Sequence, residues 1–246
     1  MLIAVMSDMH GNREAFDACL AHAQRQGAER YVLLGDLVGY GADPGYVVDL
    51  ARRMQDSGAI VLLGNHDEAV SGSTADMNEY ARAAIEWTRC RLDVAQKKFL
   101  RDLPRTHREG DVLYVHSEAS DPRAWIYVTN SADAERSMRA TDARITFCGH
   151  VHRPLLYHLA PGKQAAPFTP NSALPIPLSA TRHWLAVLGA VGQPRDHNPC
   201  AAYVIFDAER RAVAWHRAPY DIERAAQKIK SARLPAILSA RLFVGR

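Results

Sequence analysis

Five short apolar runs punctuate the first part of the chain, and each is followed within a few positions by a turn that presents a polar or ionisable side chain. The runs are Leu2-Ile3-Ala4-Val5-Met6, Tyr31-Val32-Leu33-Leu34, Ile60-Val61-Leu62-Leu63, Val112-Leu113-Tyr114-Val115 and Ile145-Thr146-Phe147-Cys148, and all read as strands. Helix-patterned stretches alternate with them. From Asn12 to Gln26, Ala15, Phe16, Cys19, Leu20 and Ala23 recur at three- and four-residue spacing, which gives a helix one buried stripe with Asn12 as its N-cap. The spacing predicts a second helix from Tyr46 to Gln55, ended by Gly58, and a third from Asp133 to Arg139. Ala75 to Asp102 is long, helix-favouring and free of proline, with Tyr80, Ala84, Trp87, Leu92, Phe99 and Leu100 pointing inward. Strands alternating with helices predict an α/β fold with crossover helices.

After His152 the pattern turns to strands and loops. Leu155 to His158, Trp184 to Leu188, Ala202 to Phe206 and Ala212 to Trp215 read as strands, with a Pro-containing loop from Ala160 to Pro177. Asp207-Ala208-Glu209-Arg210 joins the last two as a hairpin. A second sheet packed against the first would bury both. Asp221 to Lys230 and Pro235 to Phe243 close the chain as helices, separated at Leu234-Pro235 because the residue before proline avoids helix. There is no internal repeat or low-complexity segment.

Composition narrows the function. The chain has 246 residues, 48% of them hydrophobic and 23% charged, enough to bury a sizeable core. A net charge of +3 without any block of consecutive Lys or Arg argues against stable nucleic-acid binding, yet suits an anionic small substrate. Cys19, Cys90, Cys148 and Cys200 stand alone with no C-x-x-C spacing, which argues against a disulfide framework and a structural zinc site. The five-residue apolar start meets Ser7 and Asp8, and no run approaches membrane-spanning length, so a cytoplasmic protein without membrane contact is expected. No pattern marks an oligomer interface.

Seven potential metal ligands follow the five runs: Asp8, His10, Asp36, Asn65, His116, His150 and His152. Their order predicts that the chain up to His152 folds to bring them around two metal ions, within one domain of residues 1–246. Asp8 and His10 lie two apart after a strand, where extended backbone would point both side chains the same way. His150 and His152 repeat that spacing and face two metals if the loop twists. Gly35-Asp36 turns sharply before a carboxylate whose two oxygens can bridge two cations. Gly64-Asn65-His66-Asp67 offers an amide oxygen and an imidazole.

The succession D-x-H, G-D, G-N-H-D, a lone His and G-H-x-H resembles the calcineurin-like metallophosphoesterase superfamily. Ser7-Asp8-Met9-His10-Gly11-Asn12, Gly35-Asp36-Leu37-Val38-Gly39-Tyr40-Gly41 and Gly192-Gln193-Pro194-Arg195-Asp196 resemble its small prokaryotic, phosphodiesterase-like branch over nearly the whole chain. The resemblance implies a four-layer αββα sandwich of two packed mixed β-sheets flanked by helices. It implies one metal held by Asp8, His10, Asp36 and His152, and another by Asp36, Asn65, His116 and His150, bridged by Asp36. It implies in-line attack by a metal-bridging hydroxide, with His66 as general acid for the departing oxygen. Asn65, His66 and Arg195 would contact the substrate, Arg195 by a bidentate fork on phosphate or, alternatively, by a structural ion pair. Mixed N and O ligation points to Mn²⁺, with Fe or Zn²⁺ next and Mg²⁺ least suited.

The chain departs from the family's pattern at three places. Gly39-Tyr40 stands where protein phosphatases and symmetrical dinucleotide hydrolases carry Asp-Arg, which argues against the protein-phosphatase branch. Ser117 replaces a glycine after the lone histidine, and Val187-Leu188-Gly189-Ala190 replaces a polar Asn-Pro-Gly-Ser. The leading expectation is a phosphoesterase for phosphodiesters, and possible phosphomonoesters, of small or nucleotide-like substrates. The alternatives are a diadenosine polyphosphate hydrolase and, from another class, a non-catalytic scaffold using the same fold. The remaining histidines, among them His197 near Arg195, and the Lys97-Lys98 pair read as packing or solvated positions.

Overall fold

The computed structural model describes residues 1–170 and 173–246, in chain order β1 (Leu2–Met6), α1 (Arg13–Arg25), β2 (Arg30–Leu33), α2 (Pro44–Asp56), β3 (Ile60–Val61), α3 (Asn65–Ala69), α4 (Glu79–Arg89), α5 (Val94–Asp102), β4 (Thr106–Glu109) and β5 (Val112–Val115). There follow α6 (Ser131–Arg139), β6 (Ile145–Cys148), β7 (Pro154–Leu159), β8 (Ala166–Phe168), β9 (Ile176–Pro177), β10 (His183–Leu188), β11 (Ala201–Asp207), β12 (Ala212–Ala218), α7 (Ile222–Ser231) and α8 (Ala236–Val244). Among these residues the strands form two mixed sheets of six, ordered β3-β2-β1-β11-β12-β9 and β4-β5-β6-β10-β7-β8. The five apolar runs do not share one sheet: three enter the first and two the second. The sheets therefore interleave early and late segments and do not divide the chain at His152.

Strand periodicity explains the layering. Ile3 and Val5 of β1 face the gap between the sheets, packing with Val32, Leu62, Phe147, Trp184, Phe206 and Trp215. Ala4 and Met6, one residue out of phase, face Phe16, Val47 and Ala51 of α1 and α2. On the far side, Val115, Cys148, Leu185 and Val187 of the second sheet bury Ala134 and Met138 of α6. The result is α/β with helices outside two packed sheets, the four layers expected. β1 and β2 run parallel, as do β2 with β3 and β5 with β6. Their C-terminal ends thus open on one ridge, the usual place for sites in such sheets.

Three expectations need correction. The helix predicted over Ala75 to Asp102 is two, because Asp93 accepts from the Gln96 N–H at 2.8 Å while Gln96 Oε1 accepts from the Asp93 N–H at 3.0 Å, a capping box that starts α5 afresh. Tyr80 there faces outward, at 37% exposure, whereas Leu92 and Leu100 are buried. The strand expected at Ile60 to Leu63 is only two residues long and lies on a sheet edge. The loop expected from Ala160 to Pro177 contains β8 and β9, with 171–172 outside the described residues. Both β8 and β9 carry a proline and both are edge strands, where a missing N–H costs no ladder bond. Among the described residues, no helix is long and apolar enough to cross a membrane.

Candidate metal centre

The loops at the ends of β1, β2, β5 and β6, with the first turn of α3, bring all seven expected residues together. Asp8, His10 and His152 place ligand atoms within 4.8 Å of one another, and so do Asp36, His116 and His150. His10 links the groups, its Nε2 lying 3.6 Å from Asp36 Oδ2, and Asn65 Oδ1 lies 3.3 Å from His116 Nε2. The local geometry differs from the extended backbone expected: Asp8, His10, Asp36, His150 and His152 all have positive φ, between 48° and 66°. Left-handed backbone at non-glycine residues is strained and persists only where surroundings enforce it. Here it re-aims each side chain at the centre. Gly64 permits a close approach of its loop to Asp36, since a Cβ there would lie 2.2 Å from the Asp36 amide nitrogen.

The protonation of the four imidazoles follows from their partners. His10 Nδ1–H donates to the Val38 carbonyl at 3.0 Å, His116 Nδ1–H to Leu34 at 3.1 Å and His152 Nδ1–H to Gln193 at 2.7 Å. His150 instead donates from Nε2 to the Trp125 carbonyl at 2.9 Å. Since carbonyls only accept, every inward nitrogen carries a lone pair in the neutral ring. Yet His10 Nε2 and His152 Nε2 stand 3.1 Å apart, and His116 Nε2 and His150 Nδ1 3.3 Å apart. Two lone pairs cannot hydrogen-bond each other, so the His10–His152 contact calls for a cation between the rings, and the His116–His150 contact calls for either a cation or a proton on His116.

The carboxylates point the same way. Asp36 Oδ1 accepts from the His66 N–H at 2.8 Å, leaving Oδ2 at 3.4 Å from His116 and 3.6 Å from His10. Asp8 Oδ2 accepts from the His150 N–H at 3.0 Å, while its buried Oδ1 has no hydrogen-bond partner and lies 3.3 Å from His152 Nε2. Burial alone would raise Asp8 and Asp36, but neighbouring imidazoles outweigh it and hold both below the usual carboxylate range. Burial likewise lowers His116, but Asp36, Asp8 and Asp67 overcome it and raise that ring to about 9. His150, buried beside His116, falls to about 3. A site this dry that still favours positive charge suits divalent cations on mixed N and O donors. The donor set fits the metal pair implied by the sequence.

His66 lies beside this set, 5% exposed, its ring edge-on to His10 at 4.8 Å and 4.6 Å from the Tyr40 ring. Its Nδ1 has no partner and packs on Gly39, where a Cβ would come within 2.4 Å. Burial lowers its pKa to about 4, against the opposing pull of Asp36. The Arg195 guanidinium stands 5.6 Å from the Tyr40 ring centre and donates to Gln193 Oε1 at 3.0 Å. It enters no salt bridge among the described residues, so the ion-pair alternative has no partner there. His197 packs away from the site, its Nδ1 3.3 Å from Arg246 Nε.

Asp67, Tyr40, Trp125 and Tyr127 also shape the site; the sequence placed Asp67 in the G-N-H-D motif without a role and Tyr40 at a departure from a motif, and gave no motif for Trp125 or Tyr127. Asp67 accepts from the Gly64 and Val38 N–H groups at 3.0 and 3.2 Å, tying two loops together. Trp125 and Tyr127 lie in the long connection after β5, and the only signal for them is the concentration of aromatic side chains just beyond His116. A cavity of about 750 Å³ opens beside Asn65 and His150 and is walled by Trp125 and Tyr127.

A family model described as the calcineurin-like phosphoesterase superfamily domain matches residues 1–211. The chain is 35% identical to the Methanocaldococcus jannaschii protein MJ0912 over 267 residues, covering 100% of this chain and 98% of that one. A metallophosphoesterase from Sphaerobacter thermophilus is 34% identical, with coverage of 100% and 99% and a TM-score of 0.88. PH1004 from Pyrococcus horikoshii OT3, at 20% identity, has the same fold, with a TM-score of 0.79 and coverage of 100% and 98%.

Proposed function

This chain belongs to the calcineurin-like phosphoesterase superfamily and is a phosphoester hydrolase, and we propose that it cleaves phosphodiesters of small or nucleotide-like substrates at a dinuclear metal centre. The observation that carries the reading is the His10–His152 lone-pair contact beside the Asp8 and Asp36 oxygens, with His116 and His150 converging on Asp36 next to it. Asp8, His10, Asp36 and His152 would hold one ion, and Asp36, Asn65, His116 and His150 the other, with Mn²⁺ the best match to the donors. Such a pair, when bound, supplies a deprotonated water near neutral pH and charge to clamp the phosphoryl oxygens.

The remaining roles fall to the chain itself. Asp36 orients the His66 backbone through the 2.8 Å hydrogen bond and so fixes the ring beside the reacting group. His66 would deliver the proton that the departing oxygen needs after taking one from solvent; burial opposes that charge on its ring, and the negative charge of a phosphoester beside it favours it. Arg195, with no carboxylate to neutralise it among the described residues, offers its fork to a phosphate oxygen. We read residues 1–246 as one catalytic unit in a reducing, cytoplasmic setting, a reading supported by four unpaired cysteines.

The test is to strip the metals, restore Mn²⁺ and assay phosphomonoesters, phosphodiesters and diadenosine polyphosphates side by side. Mn²⁺-dependent turnover highest on diesters is expected. Turnover confined to diadenosine polyphosphates would replace this reading with the dinucleotide one, and no turnover with a fully loaded centre would leave the scaffold.

A further inference from the structure

The cavity of about 750 Å³ beside the metal-facing residues has the size of a small-ligand site and runs outward from Asn65 and His150 to Arg123 and Asp76. Its wall is fixed. Trp125 adopts φ +51°, donates its indole N–H to Glu68 at 2.8 Å and gives its carbonyl to His150. Tyr127 stacks on the His150 ring with centroids 3.9 Å apart and planes 16° from parallel, yet it remains 48% exposed. A large aromatic surface is therefore held rigid at the mouth of the site, on a histidine that is itself locked to a backbone carbonyl. An apolar ring left open to water in this way is poised for a flat partner at little ordering cost. Glu68 is engaged by Arg105 and Trp125, whereas Arg123 and Asp76 enter no salt bridge among the described residues.

We propose that this cavity is a nucleoside subsite, which takes the sugar and base of a phosphodiester whose phosphate lies at the metal-facing residues, with the base stacked on Tyr127. The proposal rests on the phosphodiesterase reading above and names the substrate class. A lipid tail would need an unbroken apolar wall, and Arg123 and Asp76 interrupt this one. A methyl or glyceryl ester would leave most of the volume to water. A nucleoside occupies more of it than either ester, offers a ring face to Tyr127 and presents hydrogen-bonding edges to Arg123 and Asp76.

The experiment compares two diesters with one leaving group, thymidine 5′-(p-nitrophenyl phosphate) and methyl p-nitrophenyl phosphate, on the Mn²⁺-loaded full-length protein. Base stacking on an aromatic side chain predicts a kcat/KM ratio favouring the thymidine ester by roughly tenfold or more. Tyr127→Ala should bring that ratio close to unity, mainly through KM, and Tyr127→Phe should keep it. Metal analysis of each variant separates loss of the subsite from loss of the centre. Ala124→Trp, at an exposed position on the cavity wall, should lower the ratio by filling the space. Calorimetry with thymidine 5′-phosphate reads the same subsite without turnover, with weaker binding expected for Tyr127→Ala. A wild-type ratio near one, or a preference that survives both Tyr127→Ala and Ala124→Trp, overturns the proposal. A protein that hydrolyses neither ester yet binds thymidine 5′-phosphate through Tyr127 keeps the subsite and loses the phosphodiesterase reading.

Discussion

On the proposed reading, His66 is the residue at which metal binding and turnover would separate. Its side chain makes no hydrogen bond to the seven converging residues, although its ring nitrogen lies within 4.8 Å of ligand atoms of His10 and Asp36; its Nδ1 faces Gly39 without a partner, and its backbone N–H donates to Asp36. Replacement by glutamine should therefore leave two equivalents of metal per chain while lowering turnover of a diester with a poor leaving group by about 10²–10⁴-fold. With p-nitrophenol departing, which needs no proton, the loss should be much smaller. Metal analysis beside the two rates checks this, and an equal loss on both esters would remove His66 from proton delivery. The types and order of these residues were legible in the sequence because metal and proton chemistry restrict them to a few side chains. Their geometry was not. Nothing local in Asp8 or His10 announces φ values of 59° and 48°, which the surrounding loops impose. Tyr127 was illegible for a related reason: its use comes from stacking on His150, a contact between positions with no shared motif.

At the scale of elements, legibility follows burial. β1, β5 and β6 match their apolar runs residue for residue, because strands packed on both faces carry the pattern on every position. The edge strands β3, β4, β8 and β9 were shortened or missed, since an edge tolerates Thr-His-Arg-Glu in β4 and a proline in β8 and β9. The hairpin of β11 and β12 was readable, and it holds a testable pH response. His216 on β12 is 9% exposed and stacks on Tyr203 of β11 at 5.4 Å, while His22 of α1 lies 2.7 Å from the Tyr203 hydroxyl. Burial, with His22 beside it, holds His216 below the ordinary histidine pKa. The unfolded chain therefore binds a proton near pH 6.5 that the folded chain resists, so this contribution is fully present above that pH and is lost as pH falls through it. His216→Phe keeps the aromatic stack and removes the proton site. Between pH 7 and 5 its urea midpoint should fall less than that of the parent protein, the difference cancelling the other titrating groups. Parallel midpoints across that range would rule out His216 as a source of acid sensitivity.

Across the whole molecule, the candidate centre spans the seam between the two sheets. Asp8, His10, Asp36 and Asn65 extend from loops of the first sheet, and His116, His150 and His152 from loops of the second. Below this ridge the sheets are joined by apolar packing around Phe147, Phe206 and Trp215. At the ridge the joining surface is instead a set of lone pairs and carboxylates, including an Asp8 oxygen buried without a partner. Without cations the His10–His152 contact and the buried Asp8 oxygen stay unsatisfied, and strained loop backbone gains nothing in return. Bound ions would turn the same ridge into a cross-link between sheets. Chelation should therefore lower thermal stability well beyond the loss of a surface ion. A single site held at 100 times its Kd contributes about 2.7 kcal/mol, which for a chain of this length corresponds to roughly 5–10 °C in Tm. Re-addition of Mn²⁺ should restore the shift. Asp8→Asn on one sheet and His116→Asn on the other should each diminish the metal-dependent part, because either removes one side of the cross-link. Identical melting with and without chelator, in a protein shown to have bound metal, would mean that apolar packing alone sets how the sheets are joined.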